Sequence, residues 1–182
     1  MVRLKSYRTV YRANLYQGVK LVRLKGISDK LKAFLDTIAY SEGTVQIPDS
    51  EDGYRVIVGS TPKHPILLDS FKDHPRRVIK LSDKLSSTAA GRYQILARFF
   101  DAYKRLLLLP DFSPESQDKI AVQLIKECRA AWDIEDGRIA EAIGKCASRW
   151  ASFPGDTDYD QHQNELSTLV SVFNISLKSY QK

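Results

Sequence analysis

Leu31-Lys32-Ala33-Phe34-Leu35-Asp36-Thr37-Ile38-Ala39-Tyr40-Ser41-Glu42-Gly43-Thr44 is the stretch from which the fold is read. Leu31, Phe34, Leu35 and Ile38 recur at the i, i+3, i+4, i+7 spacing of one helical face, and Glu42 continues that apolar stripe. A carboxyl group is thereby aimed at the side on which the helix packs. Gly43 follows at once and predicts the helix end, because glycine adopts the left-handed conformation that closes a helix. Glu42 then lies partly buried beside the negative end of the helix dipole. Both conditions disfavour the anion, so the sequence predicts a carboxyl that holds its proton to higher pH than a solvated glutamate and can act as a general acid near neutrality. Ser28 or Asp29 is the expected N-cap.

Working outward, residues 44 to 72 carry turn signals at Pro48-Asp49-Ser50, Glu51-Asp52-Gly53 and Thr61-Pro62. These flank the β-branched run from Tyr54 to Val58, and together they predict a small antiparallel sheet. From about residue 90 the pattern turns helical. Helices are expected over about 90 to 107, over 114 to 131 with Ser113 as cap and Pro114 in the first turn, and over about 137 to 150. Leu166, Leu169, Val170, Phe173 and Leu177 mark a last amphipathic helix. Strands set apart from a run of helices define an α+β class and argue against a parallel βαβ arrangement. A cleft between a β lobe and a helical lobe is a natural place for a long ligand, and Glu42 at the junction would face it.

With 182 residues and 43% apolar content, the chain can bury one sizeable core without disulfide staples. Cys128 and Cys146, eighteen positions apart in predicted helices, read as small buried hydrophobes rather than a disulfide or a metal pair. No apolar run approaches the roughly 18 residues of a membrane-spanning helix. His64, His74 and His162 are scattered and form no HExxH, so zinc hydrolase chemistry has no support and no metal is expected. Ser41 lacks a Gly-x-Ser-x-Gly elbow, and no glycine-rich phosphate loop is present. Charge is uneven. Residues 1 to 28 hold Arg3, Lys5, Arg8, Arg12, Lys20, Arg23 and Lys25 and no acid, against a whole-chain net of +6, so the remaining body is close to neutral. The expected division is a poorly ordered basic extension, residues 1 to 28, and one catalytic domain, residues 29 to 182. Lys20, Arg23 and Lys25 interrupt the extension's apolar residues, so it does not read as a secretory signal.

The run Lys32 to Thr44 resembles the active-site helix of the lambda phage endolysin family, peptidoglycan lytic transglycosylases with a lysozyme-like fold. Further blocks match in the same order: Gly53 to Gly59, Asp73-His74-Pro75-Arg76, Ser87 to Gln94 continuing to Asp101-Ala102-Tyr103, Asp111 to Pro114 with Ser116-Gln117-Asp118, and Trp150 to Gly155. The likeness covers about residues 30 to 155. It implies cleavage of the β-1,4 bond between N-acetylmuramic acid and N-acetylglucosamine, with the muramic 6-hydroxyl attacking to leave a 1,6-anhydro end. Glu42 would give a proton to the departing oxygen and then take the hydroxyl proton, with no cofactor. The resemblance also implies a folded monomer held in the host cytoplasm until a holin opens the inner membrane, after which it acts on the wall from the periplasm. Neither a membrane span nor a nucleic-acid partner is expected.

Spacing alone leaves the route open. Asp49, Glu51 and Asp52 lie seven to ten positions beyond Glu42, and Asp49 or Asp52 could serve as the second carboxylate of a hydrolytic muramidase. A different class of reading is an inert wall-binding or nucleic-acid-binding protein that works through its basic arm. Gln94 can hydrogen-bond an acetamido or hydroxyl group without taking protons, and Tyr93 can do the same or stack on a ring. Tyr54 and Trp150 can offer aromatic faces to sugars, against the alternative that such large aromatics fill the core.

Overall fold

The computed structural model describes residues 22–155 and 164–182. Helix α1 (Asp29–Ser41) forms where the periodicity places it. Ser28 is the N-cap: its backbone is extended and its Oγ accepts the Leu31 N–H at 3.0 Å. At the far end the Glu42 N–H reaches the Ile38 carbonyl at 2.9 Å, and Gly43 turns left-handed with φ of 71°. Phe34, Leu35 and Ile38 are fully buried, each worth about 1.5–3 kcal/mol relative to exposure.

A short 3-10 turn (Thr44–Gln46) follows, then an antiparallel pair of strands β1 (Ile79–Lys80) and β2 (Ser86–Ser87). Helices α2 (Ala97–Leu106), α3 (Pro114–Glu127), α4 (Ala131–Asp136), α5 (Ile139–Cys146) and α6 (Leu166–Tyr180) complete the described elements. Helix α1 is the hub, packing most extensively on α6 and also on α4 and α3. One core runs through Phe34, Ile38, Phe100, Phe112, Ile120 and Phe153. The fold is α+β, as expected.

Several boundaries differ from the expectation, each for a visible reason. The sheet lies at 79–87 with Ile79 opposite Ser87 and Lys80 opposite Ser86, not at Tyr54 to Val58. Around Tyr54 the backbone coils: Asp49, Glu51 and Asp52 are left-handed, and the Arg55 N–H returns to the Ser50 carbonyl at 2.9 Å. Beyond the coil the Ile57 N–H goes to Ile66 and the Val58 N–H to Ala89, so adjacent residues pair with different segments and only isolated bridges result. The helix expected from 90 starts at Ala97, because Gly91 (φ 78°) and Gln94 (φ 49°) are left-handed and Ala90 bridges Ile95. Left-handed Arg129 and Gly137 break the later helical stretch into α3, α4 and α5.

The expected basic arm falls mostly outside the described residues. Its described end, from residue 22, packs on the body: Val22 is buried, and the Arg23 and Leu24 N–H groups both donate to Asp118 Oδ2 at 2.8 Å. Residues 22 to 24 thus make contacts with the body.

Two buried carboxylates organise this core. Asp36, on α1, is fully buried and meets the equally buried Arg92 at 2.7 Å, while the Ser176 and Tyr180 hydroxyls of α6 donate to its other oxygen. Asp118, on α3, accepts the hydroxyls of Tyr54 at 2.8 Å and Tyr93 at 2.6 Å. Burial pushes both carboxyls above the ordinary aspartate range against the pull of these donors. Replacing Arg92 by Leu takes a guanidinium away from the buried Asp36, and removing one partner of a buried ion pair costs about 3–5 kcal/mol. Urea unfolding of Arg92→Leu should show a loss of that order at pH 7. The loss should shrink toward pH 4, where protonation removes the uncompensated charge.

Candidate active site

Glu42 is half-buried at the C-terminal end of α1, and its carboxyl opens on a groove. Two contiguous hollows of about 360 and 350 Å³ meet there, sharing Glu42, Val58, Leu81, Leu85 and Gln94. Burial pushes the Glu42 carboxyl from the usual 4.5 up to about 7, opposed by one hydrogen bond: the Ser152 hydroxyl donates to Glu42 Oε1 at 2.6 Å. The group is thus poised to give and to take a proton near neutrality. The sequence reading foresaw the direction of this shift.

Ser152 lies within the block Trp150 to Gly155, whose sequence carries no local sign of its contact with Glu42. The turn after α5 carries it, and that turn is clamped. The Ser152 carbonyl accepts the Ser41 hydroxyl at 3.1 Å and the Asn164 N–H at 3.1 Å, while Asn164 Nδ2 donates to the Ser41 carbonyl at 3.2 Å. No periodicity or motif marks Asn164, which reaches Ser41 across 123 positions.

Of the other candidates, Gln94 lies in both hollows beside Glu42. Its left-handed backbone and a bond from its Nε2 to the Gly91 carbonyl at 3.0 Å fix the side chain, leaving Oε1 as an acceptor. Tyr93 and Trp150 border the same groove but are 1% and 3% exposed. The Tyr93 hydroxyl is spent on Asp118, and Trp150 Nε1 donates to the Tyr93 carbonyl at 3.1 Å. They form the wall, with no open ring face. Tyr54 is corrected outright: it is fully buried, edge-on to Tyr93 and bonded to Asp118, and it lines neither hollow. The aromatic size that suggested a sugar platform is used for the core instead.

Asp49, Glu51 and Asp52 do not line the groove, and Arg23 holds the Asp52 carboxylate at 2.6 Å. Their left-handed conformations show them shaping the turn. His74 is buried against Phe100 and Phe112, with Nε2 donating to the Ile95 carbonyl at 2.9 Å and Nδ1 accepting the Arg76 N–H. Burial lowers its proton affinity, so it is a neutral strut. Among the described residues no group of three or more His, Cys, Asp or Glu side chains gathers as for a metal ion.

An α+β fold with a glutamate of raised proton affinity at the end of a buried helix, opening on a groove, is the arrangement of a lysozyme-like enzyme. The comparisons with known proteins agree. A family model described as Endolysin matches residues 32–178. The endolysin of Escherichia phage lambda is 45% identical over 149 residues, covering 81% of this chain and 90% of that protein. The endolysin of Escherichia phage P2 is 44% identical over 149 residues, covering 79% and 90%. The solved structure of bacteriophage lambda lysozyme complexed with a chitohexasaccharide superposes with a TM-score of 0.77 at 44% identity, covering 84% of this chain and 97% of that one. The chain belongs to the endolysin family.

Ser152 stabilises the Glu42 anion, so removing its hydroxyl should raise the proton affinity further. Carboxyl ¹³C titration should place the Glu42 midpoint near 7 in the parent chain and at higher pH in Ser152→Ala, with Ser152→Thr falling back toward the parent.

Proposed function

We propose that this chain cleaves the glycan strands of peptidoglycan by lytic transglycosylation, at the β-1,4 bond between N-acetylmuramic acid and N-acetylglucosamine, with Glu42 as both acid and base. The carrying observation is that, among the described residues, Glu42 is the one carboxylate that lines the two hollows. As the bond from the muramic C1 to the bridging O4 breaks, protonated Glu42 gives its proton to O4. The muramic 6-hydroxyl then bonds to C1, and its proton passes to the Glu42 carboxylate. The acid is restored, no water is consumed, and the new end is a 1,6-anhydro sugar. Every atom comes from the substrate or from Glu42, so the reaction as written requires no cofactor.

A group near 7 suits this double duty, since it must be protonated at the start and basic a moment later. Gln94 supports the reading as a neutral acceptor beside Glu42, able to hold an acetamido N–H or a hydroxyl. The two carboxylates named for the hydrolytic alternative, Asp49 and Asp52, stand outside the groove lining, which supports the transglycosylase reading.

The same reading carries a role in host lysis. No helix among the described residues is long and apolar enough to cross a membrane. We propose that the protein waits in the host cytoplasm as a monomer and reaches the wall when a holin opens the inner membrane. Expression alone should then leave cells intact until the membrane is permeabilised, and spontaneous lysis would contradict the dependence.

Mass analysis of digested sacculi should find anhydromuramic ends, and borohydride-reducible muramic ends would overturn the transglycosylase route. Glu42→Gln should lose at least about 10²-fold in rate, the scale of general acid–base catalysis. Because the first step needs the protonated acid, the parent rate should fall as pH rises through about 7.

A further inference from the structure

The groove forks. The hollow that holds Glu42 and Gln94 shares Ser86, Ser87, Leu96 and Arg98 with a further hollow of about 410 Å³, whose remaining walls include Val78 and Thr88. Arg98 stands at the junction. It is exposed, its guanidinium lies 5.0 Å from the Phe99 ring centre, and among the described residues no carboxylate comes within salt-bridge distance. The other arginine of the groove, Arg149, already faces Glu127 at 3.6 Å.

A bare aminosugar strand is linear and uncharged, so it needs one channel and no cation. What peptidoglycan adds is a branch: the lactyl group of each muramic residue bears a short peptide with carboxylates along it and small methyl side chains. The lining of the further hollow has the matching chemistry. Val78 and Leu96 offer apolar contact, and the serine hydroxyls can meet peptide N–H and C=O groups. Thr88 Oγ1 already accepts the Ala97 N–H at 3.2 Å, which leaves its own proton free to donate. Arg98 supplies the charge for a carboxylate.

We propose that the hollow beyond Arg98 is a subsite for the carboxylate-bearing stem peptide of the glycan strand, and that Arg98 makes the enzyme favour stem-bearing strands over bare ones. The inference rests on the peptidoglycan reading above. A free lactyl group would offer the same carboxylate chemistry. The stem peptide is chosen because a three-carbon unit leaves most of a hollow of about 410 Å³ empty and its apolar walls unused.

Binding is best measured without turnover, by calorimetry on the full chain carrying Glu42→Gln, with and without Arg98→Ala. The ligands are stem-bearing strands from sacculi, the same strands stripped by an amidase to the free lactyl acid, and chitohexasaccharide. Loss of a charge-assisted contact should weaken binding of stem-bearing strands about tenfold. The stripped strands and the chitohexasaccharide should lose several-fold less, Arg98→Lys should recover part of the difference, and added salt should erode it. Equal loss on stripped strands would assign Arg98 to the lactyl acid and overturn the proposal, as would no loss on any ligand. If the Glu42→Gln parent binds neither sacculus-derived strand, the peptidoglycan reading itself fails, a result distinct from a parent that binds both but ignores Arg98.

Discussion

The buried contact between Arg92 and Asp36 is the constraint on which the site depends. It joins α1 to the turn after Ala90, and the Ser176 and Tyr180 hydroxyls bring α6 to the same carboxylate. Arg92 also reaches the Asp52 carbonyl, donates its N–H to Gln117 Oε1 at 2.9 Å and accepts the Thr44 hydroxyl at 2.7 Å. Gly91 beside it is left-handed, and a Cβ there would stand 2.2 Å from Gln117 Oε1, so any side chain would strain the backbone and push the Gln117 amide off its partners. An ion pair this dry contributes little net stability compared with well-packed apolar groups. Its effect is geometric: few arrangements satisfy all these partners at once, and the one that does delivers Gln94 to the groove.

How much was legible follows from which forces leave a local trace. The buried face of α1, a cap at Ser28 or Asp29, its end at Gly43 and the direction of the Glu42 shift are all written in periodicity and helix-end chemistry within about fifteen residues. The Tyr54 to Val58 run misled because β-branched content marks a buried extended segment without saying whether adjacent residues share a pairing partner. Here Ile57 and Val58 do not. Gly91 to Gln94 continued a helical pattern and yet holds two left-handed residues, since Arg92 and Tyr93 are held by Asp36 and Asp118 from distant helices. Ser152 and Asn164 were illegible as site residues for the same reason. Their partners are 110 and 123 positions away, and nothing local records the pairing.

The proton affinity of Glu42 is the balance of two opposed effects. Burial raises it, and the Ser152 hydroxyl lowers it. Without the hydroxyl, the acid would hold its proton too firmly to give it up cheaply; with full solvation it would be ionised at neutral pH and unable to protonate a leaving oxygen. A muramidase escapes this compromise by dividing the work between two carboxylates in different surroundings. In the proposed route, with one carboxylate among the described residues of the groove lining, acid and base duties fall to the same group, and a value midway between them suits both.

That balance is tied to Gln94 by a hydrogen bond between the two turns. Trp150 Nε1 donates to the Tyr93 carbonyl, linking the turn that carries Ser152 to the turn that carries Gln94. Tyr93 is anchored in turn through Asp118, which also holds the backbone at Arg23 and Leu24. Gln94 and Ser152 therefore sit on one framework braced by two buried carboxylates, Asp36 and Asp118. The left-handed backbone of Gln94 is sustained by this bracing, because a non-glycine residue at φ of 49° is disfavoured when left to itself. Of the aromatic residues that looked like sugar platforms, Tyr93 and Trp150 thus form the groove wall and Tyr54 lies behind it, and their polar atoms fix the position of the groups that face the groove.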